Sequence, residues 1–282
     1  MSLALPRPAT RRLSLRIPRP GLALAGIVLG LAAAAVLWPS AFAGDPLAAD
    51  PLRVLEGPSA AHWFGTDQLG RDVLDRVVHG ARHSLSIGVA ATLIAVGAGL
   101  LLGLLAGLTH RFADEALSRT FDALSAFPLV LLALLFIAIA GTGTTSLIVA
   151  IGIATTPHYA RVVRAQTLVV RRAPYVTHAV AFGASRTRLV LRHVLPNVLG
   201  PIPVLAMIGL GEAILIAAGL SFLGLGPQPP SPEWGAMLSE GRGYLHIAWW
   251  ASVLPGCAVT ATVISLTVIG RHLQNRFEGR IQ

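Results

Sequence analysis

Lysine is absent: every basic side chain of this 282-residue chain, 22 in all, is arginine. The absence excludes a phosphate-binding GxxxxGK[ST] loop, whose lysine reaches the phosphates, and it excludes Schiff-base chemistry. A single cysteine, Cys257, leaves no internal disulfide and no cysteine-based metal site. Neither a GxSxG nucleophile elbow nor an HExxH metal helix occurs. Charge is scarce as well, at 12% of residues, against about 25% in ordinary soluble domains. Hydrophobic residues make up 54%. These deficits exclude a soluble globular domain and point to an integral membrane protein surrounded by lipid. The net charge of +9 then reads as topology, and no nucleic-acid partner is expected.

Runs without Asp, Glu, Lys or Arg extend from Pro20 to Gly44, His83 to His110, Ala123 to Ala160 and Gly243 to Gly270. Another, His193 to Pro232, is interrupted only by Glu212. A helix rises about 1.5 Å per residue, so roughly 20 residues cross a hydrocarbon core about 30 Å thick. The run from Ala123 to Ala160 is long enough for two crossings, and the turn-forming stretch "GTGTTS" (Gly141 to Ser146) divides it. The expected fold is therefore all-α, with six transmembrane helices near 21–43, 85–108, 127–141, 145–164, 198–223 and 248–270.

Arginine placement orients these spans. With both termini in the cytoplasm, 17 of the 22 arginines fall on the inner side. Asp45, Asp50, Glu56, Asp67, Asp72, Asp75, Glu233 and Glu240 fall outside. This is the distribution the positive-inside rule requires. The expected order is a cytoplasmic segment 1–20, a first span 21–43, an extracytoplasmic segment 44–84, a membrane core 85–270 and a cytoplasmic tail 271–282. "TRRLSLR" and Ala41-Phe42-Ala43 also resemble a cleavable signal, but an uncleaved first span with an arginine-rich flank is the reading adopted.

Within the outer segment, "HWFGTDQLGRDVLDRVVHGARHSL" reads as an amphipathic helix capped by Thr66 or Asp67. Leu69, Val73, Val77 and Val78 share a face, and an Asp72–Arg76 pair is expected at i,i+4. His79 and His83 have metal-ligand spacing but lack a third ligand, so no metal site is expected. In the second span, Gly99, Gly103 and Gly107 form a small-residue stripe for close helix packing. Pro157, Pro201, Pro203 and Pro255 lie in or near spans. Glu212 is the one acid well inside a span, which marks it as a candidate for the translocation path. Between the fourth and fifth spans, Val176 to Phe182 can form a short helix stopped by Gly183. Helix then resumes from Arg186 to Leu195, before Pro196.

That last segment carries a resemblance. Thr177-His178-Ala179, three residues, Gly183, nine residues and His193-Val194-Leu195-Pro196 fit the EAA motif of ABC importer permeases. Thr177 stands where the motif has Glu, and His178 where it has Ala. "FGTDQLGRDVLDRVVHGARHSL", "PHYARVVRAQTL", "GASRTRLVLRHVLPN" and "GLSFLGLGPQPPSPEWGAMLSEGRGYL" resemble the C-type permeases of dipeptide, oligopeptide and nickel importers. The similarity runs from about His62 onward. It implies a type I ABC importer transmembrane domain in the bacterial inner membrane. A second homologous permease, two ABC ATPase subunits and an extracytoplasmic solute-binding protein would be its partners. The chain itself would hold no cofactor, ATP and Mg belonging to the ATPases. Residues 170–196 would form the coupling loop, with Thr177, His178, Ala179, Gly183, Ala184, Ser185, Arg192, His193, Leu195 and Pro196 at ATPase-coupling positions. The implied function is a non-catalytic permease subunit for peptides or metal chelates such as nickel. A self-sufficient secondary carrier or channel is the alternative, weakened by the isolation of Glu212. A membrane-bound enzyme lacks any converging polar set in the spans.

Overall fold

The computed structural model describes residues 19–278, and they are helical with no strand. The expected arginine-rich segment before residue 19 lies outside the described residues, as does Arg280 of the tail. The helices are α1 (Arg19–Leu37), α2 (Val73–Leu108), α3 (Arg111–Ala126), α4 (Leu129–Ala140), α5 (Thr144–Val170), α6 (Pro174–Ala181), α7 (Arg186–Leu189), α8 (Leu195–Leu199), α9 (Ile202–Phe222), α10 (Trp234–Gly241) and α11 (Trp250–Glu278). Helices α1, α2, α5, α9 and α11 are each long and apolar enough to cross a membrane. A sixth crossing arises if α3 and α4, bent by 95° at their junction, count as one.

Two spans differ from expectation. The amphipathic stretch and the second span are one unbroken 36-residue helix, α2. It begins at Val73 and is capped by Asp72, whose Oδ1 accepts from the Leu74 amide at 2.7 Å and the Asp75 amide at 3.1 Å. Thr66 and Asp67 are therefore not its caps. The expected 127–141 span is only the 12-residue α4, too short for a hydrocarbon core at about 1.5 Å per residue. Pro128 has no amide hydrogen to continue α3, which stops at Ala126 with Phe127 extended.

The core lies along the contact of α2 and α5, which run parallel. Gly99 of α2 faces Tyr159 and Ala160, Gly103 faces Ala160 and Val163, and Gly107 faces Thr167. A Cβ at Gly103 would lie 2.6 Å from the Ala160 carbonyl oxygen and from Val163 Cβ. The missing side chains bring the two backbones together, and small residues at helix contacts in lipid serve that purpose. Arg171 closes one end of this pair by donating from Nη1 to the Gly107 carbonyl at 2.7 Å. A layer of Ile87, Ala91, Leu132, Ala133, Ile137, Leu147, Ile151, Ala213 and Leu220 joins α2, α4, α5 and α9. Pro157 and Pro255 lie inside unbroken α5 and α11.

The opposite end of α2 is fixed by charge. Arg71 Nε donates to Asp67 Oδ2 at 2.7 Å, and Arg71 Nη2 donates to Glu240 Oε2 at 2.9 Å. Arg76, 1% exposed, reaches Asp67 Oδ2 at 2.5 Å and Glu240 Oε2 at 3.0 Å through Nη1. The expected Asp72–Arg76 pair is thus replaced, because Asp72 is engaged as the cap and bonds His62 Nδ1 at 2.7 Å. Buried Glu233 caps α10 by accepting from the Ala236 amide at 2.9 Å and holds Ser84 of α2 at 2.8 Å. Trp250 Nε1 at the start of α11 donates to the Thr66 carbonyl at 3.0 Å.

Candidate functional site

The segment after α5 is a bent element seated on the bundle end where Arg171 meets Gly107. Helix α6 ends in a Schellman motif. The Ala184 amide donates to the Ala179 carbonyl at 3.0 Å, and the Gly183 amide donates to that of Val180 at 2.9 Å. This closure places Gly183 at φ +78°, where a side chain is strained. Ser185 then caps α7, its Oγ accepting from the Arg188 amide at 3.4 Å. Pro196 has no amide hydrogen for the Arg192 carbonyl, and the helix widens there into a π turn over Val190–Val194. The Leu195 amide reaches the Val190 carbonyl, and Asn197 Nδ2 covers the His193 carbonyl at 2.7 Å.

Valines hold this element to the bundle. Val176, Val194 and Val198 are buried with Val163 and Val170 of α5 and Ile202 of α9. The face turned away from the bundle is apolar: Phe182 is 91% exposed, and Val180 and Leu191 are exposed with it. A shallow groove of about 330 Å³ runs beside Arg186, Thr187, Val190 and Leu191. Of the residues singled out in the sequence, Thr177, His178, Gly183, Ser185, Arg192 and Pro196 are exposed on this element. Ala179, Ala184, His193 and Leu195 are half-buried. Sequence reasoning did not single out Val180 and Phe182. Their signal was available as an apolar "AVAF" run that a polar loop would not carry.

The structure puts Glu212 elsewhere, on a cleft of about 240 Å³ between α5 and α9 that α2 and α4 complete. Thr92, Thr155, His158, Tyr159 and Gly209 also line it. His158 and Tyr159 meet edge to face with ring centroids 5.5 Å apart. Gly209 makes room for the Tyr159 hydroxyl, which lies where a Cβ would stand. Gly99, Gly103 and Gly107 are not part of this cleft; they lie in the α2–α5 contact. His79 and His83 do not converge. His79 Nδ1 bonds the Asp75 carbonyl at 2.9 Å, and His83 Nε2 faces Ser231 Oγ at 3.4 Å. Among the described residues, no group of three or more His, Cys, Asp or Glu side chains is placed to hold a metal ion.

Helix α3 braces the same bundle end as α6. Arg164 of α5 bonds both Asp114 carboxylate oxygens, through Nε to Oδ1 and through Nη2 to Oδ2 at 2.9 Å. These bonds hold the Asp114 carboxyl below the usual carboxylate range, against the opposing effect of desolvation.

Residues 99–281 match the family described as "Binding-protein-dependent transport system inner membrane component". The chain is 42% identical over 233 residues to the dipeptide transport system permease protein DppC of Alkalihalophilus pseudofirmus, covering 83% of this chain and 77% of that protein. It is 41% identical over 230 residues to the glutathione transport system permease protein GsiD of Pectobacterium atrosepticum, covering 82% and 76%. Among solved structures, an inward-facing MetNI methionine ABC transporter chain shares the fold with a TM-score of 0.58 at 18% identity, over 72% of this chain and 96% of that one. A chain of an amino acid ABC transporter with histidines aligns with a TM-score of 0.55 at 13% identity, over 71% and 94%.

Proposed function

Because this chain belongs to the binding-protein-dependent transport system inner membrane components, we propose that it lines half of an import path for small peptides and is driven through residues 170–196 by separate ATPase subunits. The relatives named for dipeptide and glutathione transport support the cargo class. A second permease would complete the path, a solute-binding protein would deliver cargo at the α10 end, and two ATPases would sit under α6. The chain would be non-catalytic and hold no cofactor of its own, with ATP and Mg bound in the ATPases. Both termini would then be cytoplasmic, a reading that the arginine distribution supports.

One observation carries the coupling role. The α6–Gly183–α7 element presents Val180 and Phe182 outward while Val176 and Val194 anchor it to α5 and α9. Force applied to a docked Phe182 would pass through buried valines into two spans. Exposed apolar surface rimmed by Thr177, His178 and Arg186 suits a protein groove better than water. A power stroke requires only that the partner bind two states of this element with affinities differing by a few kcal/mol.

The test is Gly183→Val in the assembled transporter. Strain at φ +78° of about 1–2 kcal/mol reopens the Schellman closure without touching a span. The variant is expected to insert and assemble while uptake falls at least tenfold and ATPase activity ceases to follow cargo. Wild-type uptake by this variant would refute the coupling assignment. The chain purified alone is expected to bind no ATP in equilibrium dialysis.

A further inference from the structure

The cleft between α5 and α9 holds an acidic side chain without a partner in the chain. Among the described residues, Glu212 makes no hydrogen bond and no ion pair within the chain. No arginine lines the cleft, the chain has no lysine, and the one basic side chain there, His158, makes no ion pair with Glu212. Glu212 is exposed on the open side of the cleft, and a carboxylate within a membrane span is costly unless something charged or strongly donating meets it. A second observation points to a ligand. Thr92 is 8% exposed, lines the same cleft, and its Oγ1 has no hydrogen-bond partner. Buried hydroxyls are normally paired. The Tyr159 hydroxyl also opens onto this space beside Gly209.

We propose that this cleft is a way-station for a primary ammonium group on the cargo, with Glu212 as counter-charge and the Tyr159 and Thr92 oxygens as acceptors. An ammonium offers three N–H donors and no acceptor, and the cleft answers with one carboxylate and two hydroxyl oxygens. Its apolar wall of Leu129, Leu205 and Ile208 leaves room for a small side chain. The inference rests on the peptide reading above, in which the ammonium is the peptide's N-terminus. A way-station must also release its guest, and the cleft's open side suits a brief stop.

The experiment uses the complete transporter in proteoliposomes, with cargo-loaded binding protein in excess and with Ala-Ala and N-acetyl-Ala-Ala as probes. Loading of each probe on the binding protein is measured separately and matched. Wild type is expected to move Ala-Ala at least tenfold faster than the acetylated form. Glu212→Gln should lower Ala-Ala uptake about tenfold and erase the preference, whereas Glu212→Asp should keep most of it. Tyr159→Phe, which removes only the hydroxyl, should lower the preference severalfold. Equal uptake by wild type and Glu212→Gln would overturn the way-station and leave the peptide reading standing. Failure of wild type to move either peptide would overturn both. Loss of uptake in Glu212→Gln that is restored by neutralising an arginine of the partner permease would also overturn it, by assigning Glu212 to an inter-subunit ion pair.

Discussion

Arg76 illustrates how far a charged residue in an apolar protein depends on its neighbours. Its guanidinium is 1% exposed and reaches Asp67 and Glu240 with one nitrogen. Such a cluster need not stabilise more than apolar packing would, but removing one partner leaves a buried charge behind, at about 3–5 kcal/mol. Asp67→Ala removes the carboxylate that both Arg71 and Arg76 use. The expected result is a loss of roughly 3 kcal/mol, read as a lowered melting temperature in detergent. Glu240→Gln keeps an acceptor and should lose less. The sequence could not show this cluster. Asp67, Arg71 and Arg76 are neighbours in the chain, but Glu240 lies 164 residues beyond Arg76, and nothing in its local pattern marks it as their partner. The nearer Asp72 was the obvious choice for Arg76, until its role as helix cap removed it.

At the level of elements, legibility followed the physics of lipid. A backbone in hydrocarbon must satisfy its own hydrogen bonds, so long apolar runs became helices, and five of them are long and apolar enough to cross. Gly183 and the helices on either side of it were readable because a left-handed residue after a short helix has few alternatives to glycine. The start of α2 was not readable. Its first turns carry Asp75, Arg76 and Arg82, and a charged stretch reads as interfacial unless one knows that Arg76 is neutralised by partners elsewhere. The bend between α3 and α4 was missed for the complementary reason: the apolar run from Ala123 continues through Pro128 without a compositional break. Helix α3 then depends on Arg164 for its placement. Asp114 has a depressed pKa when folded. Its contribution is therefore complete above the ordinary carboxylate pKa of about 4, and it is lost as pH falls through the lower, folded value. Amide protection within Arg111–Ala126, taken relative to the intrinsic exchange rate at each pH, is expected to fall on acidification through that range, and Asp114→Asn should show the lower protection already at neutral pH.

For the whole molecule, the two ends are built differently. At one end, ion pairs and tryptophan hydrogen bonds fasten α2, α10 and α11 to the preceding loop. At the other, valine packing holds a bent element with an uncovered apolar face. If the arginine bias sets orientation, these ends face opposite compartments. Substituting the sole cysteine, Cys257→Ser, and then introducing Phe182→Cys or Trp63→Cys allows a test with a membrane-impermeant maleimide. Both positions are exposed. In intact spheroplasts the Trp63 site is expected to label and the Phe182 site to remain unlabelled until the membrane is opened; the reverse pattern would invert the topology.

Helix α2 joins those two ends without interruption. At about 1.5 Å per residue its 36 residues make a rod of about 54 Å, far longer than the lipid it pierces. A tilt of about 5° about one end would swing the other through about 5 Å. Small leverage beneath the membrane would thus be felt as a sizeable sway at the mouth above it, with no wire of side chains needed to carry the message.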